Sequence, residues 1–261
     1  MILKNKTAVI YGASGAIGGA VARAFAREGA KVFMVGRTLK TLQQIAKEII
    51  NAGGFAEIAQ IDALNENQVE EHLIEVFKNV GSIDISFNAI GLEDIQGLPL
   101  VEMNLEDYSR PIIKGIKAHF ITATAAARHM VKNQSGVILA ITAQASKKPC
   151  RDVGGFGVAC AAIEGFCRQL AVEVGTKGVR VVCLRSSGSS DAPGVDEVFN
   201  YHANNAGITR EAFEAGIAES TMLKRLPKLA EVANTAVLMA SDYASAITGA
   251  IANVTCGEIA E

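Results

Sequence analysis

The sequence predicts an α/β fold in which a doubly wound, parallel sheet of seven strands is covered by helices on both faces. Short apolar, β-branched runs alternate with longer amphipathic stretches along the 261 residues. Most runs are apolar at nearly every position, which is typical of parallel strands buried on both faces. We expect strands at Thr7–Tyr11, Lys31–Gly36, Ala56–Ile61, Ile83–Phe87, Val137–Thr142, Val179–Leu184 and Ile251–Val254.

The stretch after the first strand shows the helical pattern most clearly. Ile17, Val21 and Phe25 recur every four residues and therefore share one helix face. We expect that face to pack on the sheet. Gly29 follows the periodic residues and predicts the end of the helix, because glycine is common just beyond a helix C-terminus.

Composition predicts one domain over residues 1–261 and argues against several function classes. A net charge of −2 provides no basic face for nucleic acid. No apolar run reaches the roughly 18 residues of a membrane span, and the N-terminal residues lack a signal-peptide pattern. We therefore expect a cytoplasmic protein. The five cysteines are scattered without metal-ligand spacing, which predicts reduced thiols and no metal site.

Residues 186–222 interrupt the alternation of strands and helices. The irregular segment SSGSSDAPG, from Ser186 to Gly194, precedes a polar, helical pattern that continues to Ala218. An insertion of this kind before the last strand predicts a substrate lid. An ordinary surface segment without a role in substrate binding would have the same sequence pattern.

The first strand leads into the glycine-rich segment YGASGAIG, from Tyr11 to Gly18. Between a strand and a helix, such a turn brings backbone N–H groups and the positive end of the helix dipole to a phosphate. Glycines also serve tight turns and close packing. The position of this cluster predicts dinucleotide contacts from Gly12, Ser14, Gly15, Ala16, Ile17 and Gly18.

The end of the second strand indicates which dinucleotide is bound. NAD-type sites have an acidic residue here for the ribose 2′-hydroxyl, whereas this chain has Gly36 and then Arg37. A guanidinium pairs with a 2′-phosphate that a carboxylate would repel. We therefore expect NADP(H) rather than NAD(H), although a solvated Arg37 on a surface turn is the simpler alternative.

These features together resemble the short-chain dehydrogenase/reductase family, whose members have a Rossmann fold. The resemblance spans residues 4–257 and includes the family's T-G-x-x-x-G-x-G pattern, from which Tyr11 and Ala16 depart. The segment Asn88-Ala89-Ile90-Gly91 stands at the place of the family's N-N-A-G. The resemblance implies further cofactor contacts from Asp62, Ala63, Asn88, Ala89 and Ile90.

The residues that perform the family's proton chemistry are substituted. The resemblance implies a tyrosine acid/base, a lysine four residues later, a serine and an asparagine. These positions hold Phe156, Cys160, Ala143 and Gly115 respectively. A positioned acid/base contributes about 10²- to 10⁴-fold to the rate. We therefore expect slow reduction of simple ketones.

The resulting prediction is an atypical NADP(H)-dependent oxidoreductase for a small metabolite that needs little help from a protein acid, such as an iminium ion. The alternative is a non-redox isomerase or cyclase, or a cofactor-binding pseudoenzyme. Arg185 and His119 are candidate substrate residues, although each could be structural. The resemblance also implies a homotetramer or homodimer built from the two long helices.

Overall fold

The computed structural model describes residues 1–261, which form one seven-stranded sheet with helices on both faces. All six strand pairings are parallel, and the strand order is β3-β2-β1-β4-β5-β6-β7. The predicted α/β fold is therefore confirmed. The strands are β1 (Thr7–Tyr11), β2 (Lys31–Gly36), β3 (Phe55–Gln60), β4 (Ile85–Asn88), β5 (Gly136–Ala143), β6 (Val179–Ser186) and β7 (Ala250–Val254).

Strand β4 begins two residues later than the sequence predicts, at Ile85 rather than Ile83. The reason is the side chain of Asp84, whose Oδ2 accepts hydrogen bonds from the Thr7 backbone N–H at 2.7 Å and from Ser82 Oγ at 2.9 Å. The Asp84 carboxylate thus accepts the hydrogen bond of the Thr7 N–H, and regular pairing between β1 and β4 starts only at the next residues. An apolar run cannot reveal this competition between side chain and backbone.

Eight α-helices connect or follow the strands, and none is long and apolar enough to cross a membrane. Asn65 and Asn104 cap the third and fourth helices by accepting backbone hydrogen bonds. The helices are α1 (Ala16–Arg27), α2 (Leu39–Asn51), α3 (Glu66–Val80), α4 (Leu105–Asn133), α5 (Phe156–Gly175), α6 (Val195–Asn205), α7 (Arg210–Ser220) and α8 (Leu229–Ala240).

The core consists of two apolar clusters, one on each face of the sheet. Helices α1, α2 and α8 cover one face, and α3, α4 and α5 cover the other. Successive residues of a strand enter opposite clusters, as Val9 and Ile10 of β1 do. Val21 and Phe25 of α1 are fully buried, as predicted, and Gly29 beyond this helix adopts φ +90°.

Helices α6 and α7 form a small apolar unit beyond the carboxyl end of β6. Phe199 and Phe213 pack edge to face with ring centroids 5.6 Å apart, and the His202 ring stacks on Phe213 at 5.8 Å. The backbone N–H groups of Met222 and Leu223 then donate to the C-terminal segment after β7. The helical pattern predicted through residue 218 is therefore present as two helices.

Candidate functional site

The turn between β1 and α1 is packed so closely that two of its residues have no room for a side chain. Gly12 has φ +74°, and a Cβ there would overlap the Ala89 carbonyl beyond β4. A Cβ on Gly18 would overlap the Gly12 carbonyl. Helix α1 therefore starts close to the ends of β1 and β4. Its N-cap residue, Gly15, offers no capping side chain, so the first N–H groups remain free for an anion.

The other predicted residues of this turn are half-buried at the same edge. Ser14 is directed at the end of β2, because a Cβ on Gly36 would lie 3.0 Å from its Oγ. Ala16 and Ile17 form the first turn of α1. The sequence therefore brings this turn against the end of β2, where Arg37 follows.

Arg37 shares a carboxylate with a lysine from α4. The exposed Arg37 side chain donates from Nη2 to Glu93 Oε1 at 2.9 Å. The Lys114 ammonium, which is buried, lies 2.5 Å from the same oxygen. These two cations, Lys114 first, hold the pKa of the Glu93 carboxyl below its usual range. Glu93 therefore remains ionised between one buried and one exposed positive charge.

Asp62 and Ala63 follow β3 at the outer end of this edge. Asp62 is exposed, and its Oδ1 accepts from the Leu64 N–H at 3.0 Å in the turn that precedes α3. Ala63 is buried in the cluster on the α3 side of the sheet. The second carboxylate oxygen of Asp62 forms no hydrogen bond within the chain, so it is available to a ligand.

Asn88, Ala89 and Ile90 lie at the end of β4. The buried Asn88 side chain donates to Thr122 Oγ1 at 2.8 Å and accepts from the Ile90 N–H at 3.0 Å. The Ala89 N–H donates to the Tyr11 carbonyl at 3.0 Å. These bonds fix the β4 end against both β1 and α4, so the loop that follows leaves from a rigid point.

Three of the positions aligned with the family tetrad meet where β5 ends and α5 begins. Ala143 ends β5, and Phe156 begins α5 with a half-buried ring. Cys160 lies one turn later on the same helix face. Gly115 approaches from α4, where a Cβ would lie 3.0 Å from the side chain of Leu92. Because α4, α5 and β5 pack on one another, the four substituted positions lie on adjoining elements, and we call the region around them the cleft.

Cys160 is not an activated nucleophile. Its side chain is buried, and burial raises the pKa of its thiol to about 12, against a small lowering by the Ala143 backbone. At neutral pH the thiol stays protonated, whereas the thiolate is the reactive form. Cys160 is therefore a buried, protonated thiol.

Arg185 forms a buried ion pair with Glu164 of α5. Its Nε and Nη2 donate to the two carboxylate oxygens of Glu164 at 2.8 and 2.7 Å. The Nε also lies 3.0 Å from Ser146 Oγ, and Nη1 binds Glu261. Every guanidinium nitrogen of Arg185 is thus engaged within the chain. This arrangement favours the structural interpretation of Arg185 over substrate binding.

His119 is buried on α4, one turn after Gly115. Its Nδ1 lies 2.8 Å from the Gly115 carbonyl oxygen and therefore carries the proton in the neutral ring. Its Nε2 has no protein partner, and the ring lines a cavity of about 10 Å³, room for about one water molecule. Burial lowers the pKa of His119 to about 4. The side chain faces the core rather than the cleft.

Sequence reasoning missed the acidic residues around this cleft. Glu93 and Asp94 follow the Asn88-Ala89-Ile90-Gly91 segment after one intervening residue, Leu92, and Glu164 interrupts the apolar face of α5. One sequence signal for Glu164 was available: it is an acidic residue on an otherwise apolar helix face, four positions after Cys160. The loop after β4 has no periodicity, so nothing in the sequence indicated where Glu93 and Asp94 point.

The sheet topology and the glycine-lined carboxyl edge define a Rossmann-type protein. Residues 12–258 match a family model described as enoyl-(acyl carrier protein) reductase. The match covers most of the chain, which therefore belongs to the short-chain dehydrogenase/reductase family.

Individual relatives agree with this assignment. The chain is 30% identical over 247 residues to the uncharacterized oxidoreductase YxbG of Bacillus subtilis strain 168, covering 95% of this chain and 88% of that protein. It is 28% identical over 257 residues to the 3-oxoacyl-(acyl-carrier-protein) reductase FabG of Chlamydia trachomatis, covering 98% of each. NAD⁺-bound xylitol dehydrogenase has the same fold, with a TM-score of 0.91 at 20% identity over 98% of this chain and 100% of that chain. The chain is an oxidoreductase of this family.

The buried ion pair between Arg185 and Glu164 predicts a large loss of stability when either charge is removed. Glu164→Gln leaves Arg185 buried without its main counter-charge and should lower the free energy of unfolding by about 3–5 kcal/mol. Combining Arg185→Met with Glu164→Leu should cost less than the sum of the single changes, because no lone charge remains. Urea denaturation measures the free energy of unfolding of each of these variants. A loss below about 1 kcal/mol for Glu164→Gln would contradict the structural role.

The same pair predicts a pH dependence. Burial alone would raise the pKa of Glu164, but Arg185 and the Ser146 hydroxyl outweigh it and hold the pKa below its usual range. The folded state therefore binds the proton less readily than the unfolded state. The stability advantage of the native protein over Glu164→Gln should be complete above the unfolded pKa, about 4.3, and should shrink as the pH falls below it.

His119 predicts a separate loss of stability in mild acid. The unfolded ring gains a proton near pH 6.5, whereas the folded ring stays neutral down to about pH 4. Stability should therefore decline through this window by about 3 kcal/mol. His119→Gln should remove that part of the decline, and Glu164→Gln, the matched control, should retain it. If the native protein and His119→Gln lost stability in parallel as the pH falls, the His119 ring would not be a buried, neutral group.

Proposed function

We propose that this protein is an NADP(H)-dependent oxidoreductase that acts on a small metabolite without a protein-supplied proton. The observation that carries the proposal is the exposed guanidinium of Arg37 beside the tightly packed glycine turn. A second feature narrows the chemistry, because the cleft holds Phe156 and Cys160 where a proton donor and a cation would be needed.

The residues at the sheet edge fit a dinucleotide. Gly12 and Gly18 bring the backbone to positions that any side chain would block, and the first N–H groups of α1 lack a side-chain cap. These groups would hold the diphosphate. Asp62 would bond the adenine from its free oxygen, and Asn88 would hold the β4 loop in place. When bound, the cofactor supplies the hydride.

Arg37 is available for a 2′-phosphate despite its contact with Glu93. The pair is solvent-exposed, with 68% of the Arg37 side chain and 50% of the Glu93 side chain accessible, and exposed pairs contribute only about 0–1 kcal/mol. A doubly charged phosphate is a stronger partner for a guanidinium. Because the similar xylitol dehydrogenase has NAD⁺ bound, the choice of NADP(H) rests on Arg37.

The lack of a proton donor in the cleft restricts the class of substrate that the protein could reduce. A phenyl ring at position 156 has no proton to give, and the Cys160 thiol is too weak an acid to replace it. Reduction of a ketone leaves an alkoxide that needs a proton, whereas an iminium ion becomes a neutral amine on accepting hydride. The cleft therefore favours an acceptor of the second kind. The redox interpretation is also favoured over an isomerase, a cyclase or a pseudoenzyme, because the relatives are oxidoreductases.

The surroundings of the cleft suit a small-molecule enzyme in a homo-oligomer. Helices α6 and α7, within residues 186–222, would form the substrate lid. Neither nucleic acid nor a membrane is proposed as a partner. The five free thiols would suit the reducing cytoplasm. A dimer or tetramer would cover large apolar side chains that α4 and α5 expose, namely Leu105, Ile113, Phe120, Val158 and Val172.

The cofactor assignment predicts opposite effects of two substitutions. Arg37→Ala should weaken NADPH binding by about 10- to 100-fold, or roughly 1.4–2.7 kcal/mol, and should leave NADH binding nearly unchanged. Glu93→Gln should tighten NADPH binding, because Arg37 loses a competing carboxylate. Fluorescence titration measures the NADPH and NADH affinities of both variants. Arg27→Ala removes a paired, exposed arginine in the last turn of α1, at the opposite end of that helix from the glycine turn, and serves as control. Equal affinities for NADPH and NADH would contradict the assignment.

Restoring the tetrad tests the missing proton chemistry. Ala143→Ser, Phe156→Tyr, Cys160→Lys and Gly115→Asn together should increase NADPH-dependent reduction of an activated ketone at least about tenfold, since a positioned acid/base is worth about 10²–10⁴. A side chain added at Gly115 meets only flexible side-chain ends. Phe156→Tyr alone is the control, because catalytic groups act as a unit. A folded, NADPH-binding quadruple variant that reduces nothing would favour the non-redox alternative.

A further inference from the structure

The loop after β4 crosses the cleft beside the substituted tetrad. At its start, Leu92 contacts Gly115 of α4, with 3.0 Å between the Leu92 side chain and a Cβ built on that glycine. At its end, the Gly97 N–H donates to the Asp152 carbonyl at 2.5 Å, four residues before Phe156. The loop therefore connects the α4 wall of the cleft with the segment that leads into α5. Residues 93–96 therefore lie between Gly115 and the segment that precedes α5.

Asp94 is the second of the two acidic residues between the anchors and follows Glu93 directly. Its carboxylate is half-buried and accepts one hydrogen bond, from Gln96 Nε2 to Oδ2 at 2.5 Å. It forms no ion pair, in contrast to its neighbour Glu93, which Lys114 and Arg37 neutralise. Burial is the main cause of the raised pKa of Cys160, and the charge of Asp94 contributes to it as well. Asp94 therefore carries a negative charge without a cationic partner, in the loop that joins Gly115 to the segment before Phe156.

The lid holds this carboxylate in position through Gln96. His202 of α6 lies with its Nε2 2.7 Å from Gln96 Oε1, so the Gln96 amide accepts from His202 and donates to Asp94. Tyr201 packs directly on Gly97. The chain of bonds from α6 to Asp94 fixes one carboxylate oxygen and leaves Oδ1 without a protein partner. An open oxygen on an oriented, half-buried carboxylate is suited to bind a cation.

We propose that Asp94 is the anionic subsite of this cleft and selects a cationic acceptor, an iminium ion, as substrate. The proposal rests on the proposed function, because it names the substrate class of that site. The Asp94 carboxylate would lie beside the positively charged nitrogen. Glu164 and Glu93 cannot take this role, since protein cations already neutralise both.

The reaction balances without a protein acid. The iminium carbon accepts a hydride from the dihydronicotinamide, and the π electron pair of the C=N bond becomes the lone pair of the amine nitrogen. The iminium is reduced, NADPH is oxidised to NADP⁺, and the positive charge passes to the nicotinamide ring. No proton is transferred in this step, which agrees with Phe156 at the position of an acid.

The isosteric substitution Asp94→Asn tests the subsite. The probes are an N-methylated dihydroisoquinolinium salt, which carries a permanent positive charge, and tetralone, a neutral ketone of similar shape. Asp94→Asn should lower kcat/KM for the iminium about 10- to 100-fold, the range for one charge-assisted contact, and should change the tetralone rate less than about threefold. Glu102→Gln removes an exposed carboxylate from the same loop and should change neither rate.

A binding measurement makes the test independent of turnover. Calorimetric titration of the NADP⁺-loaded protein with protonated N-methyltetrahydroisoquinoline should show binding that Asp94→Asn weakens at least about tenfold, with NADPH affinity and thermal stability unchanged. Binding that depends on Asp94 without reduction of any acceptor would support the subsite and refute the proposed function. Reduction of acceptors that Asp94→Asn leaves unaffected would refute the subsite alone. A protein that neither binds nor reduces the cation also overturns the subsite.

Discussion

Parallel pairing of β1 with both β2 and β4 is the constraint on which the rest of the structure depends. It brings the ends of three strands to one edge, and the connections after them must share a small space. Gly12 and Gly18 satisfy this requirement because they lack a Cβ that would strike the neighbouring backbone. The same close approach aims the start of α1 at the edge, so the packing and the proposed phosphate recognition have one physical origin.

Charge is distributed unevenly among the acidic residues beside the cleft. Glu164 is compensated by Arg185 inside the protein, and Glu93 by Lys114. Both carboxylates therefore serve the structure, whereas Asp94 has no cationic partner within the chain and is the proposed ligand of a cation. Apolar and uncharged residues at the tetrad positions leave no competing cation in the cleft. The proposed loss of the family's proton donor and the proposed role of the Asp94 carboxylate are thus compatible features of one site, and both favour a substrate that already carries positive charge.

The strands and the glycine turn after β1 could be predicted because local patterns specify them. Buried strands need apolar side chains at successive positions, and the glycine turn has a fixed place after β1. The partner of Arg185 could not be predicted in the same way, since Glu164 lies 21 residues away on another element. Asp94 lies in a loop without periodicity, where only the contacts of its neighbours decide its direction. His119 fits a helical pattern equally well on a core face or a cleft face.

Hydride transfer without proton transfer is the central claim, and a combined isotope measurement tests it most directly. The protein is incubated with NADPH deuterated at the transferred position and the N-methylated iminium, in ordinary and in heavy water. We expect one deuterium on the former iminium carbon by mass spectrometry and a solvent isotope effect close to unity. A product without cofactor deuterium, or a rate that falls severalfold in heavy water, would contradict the account.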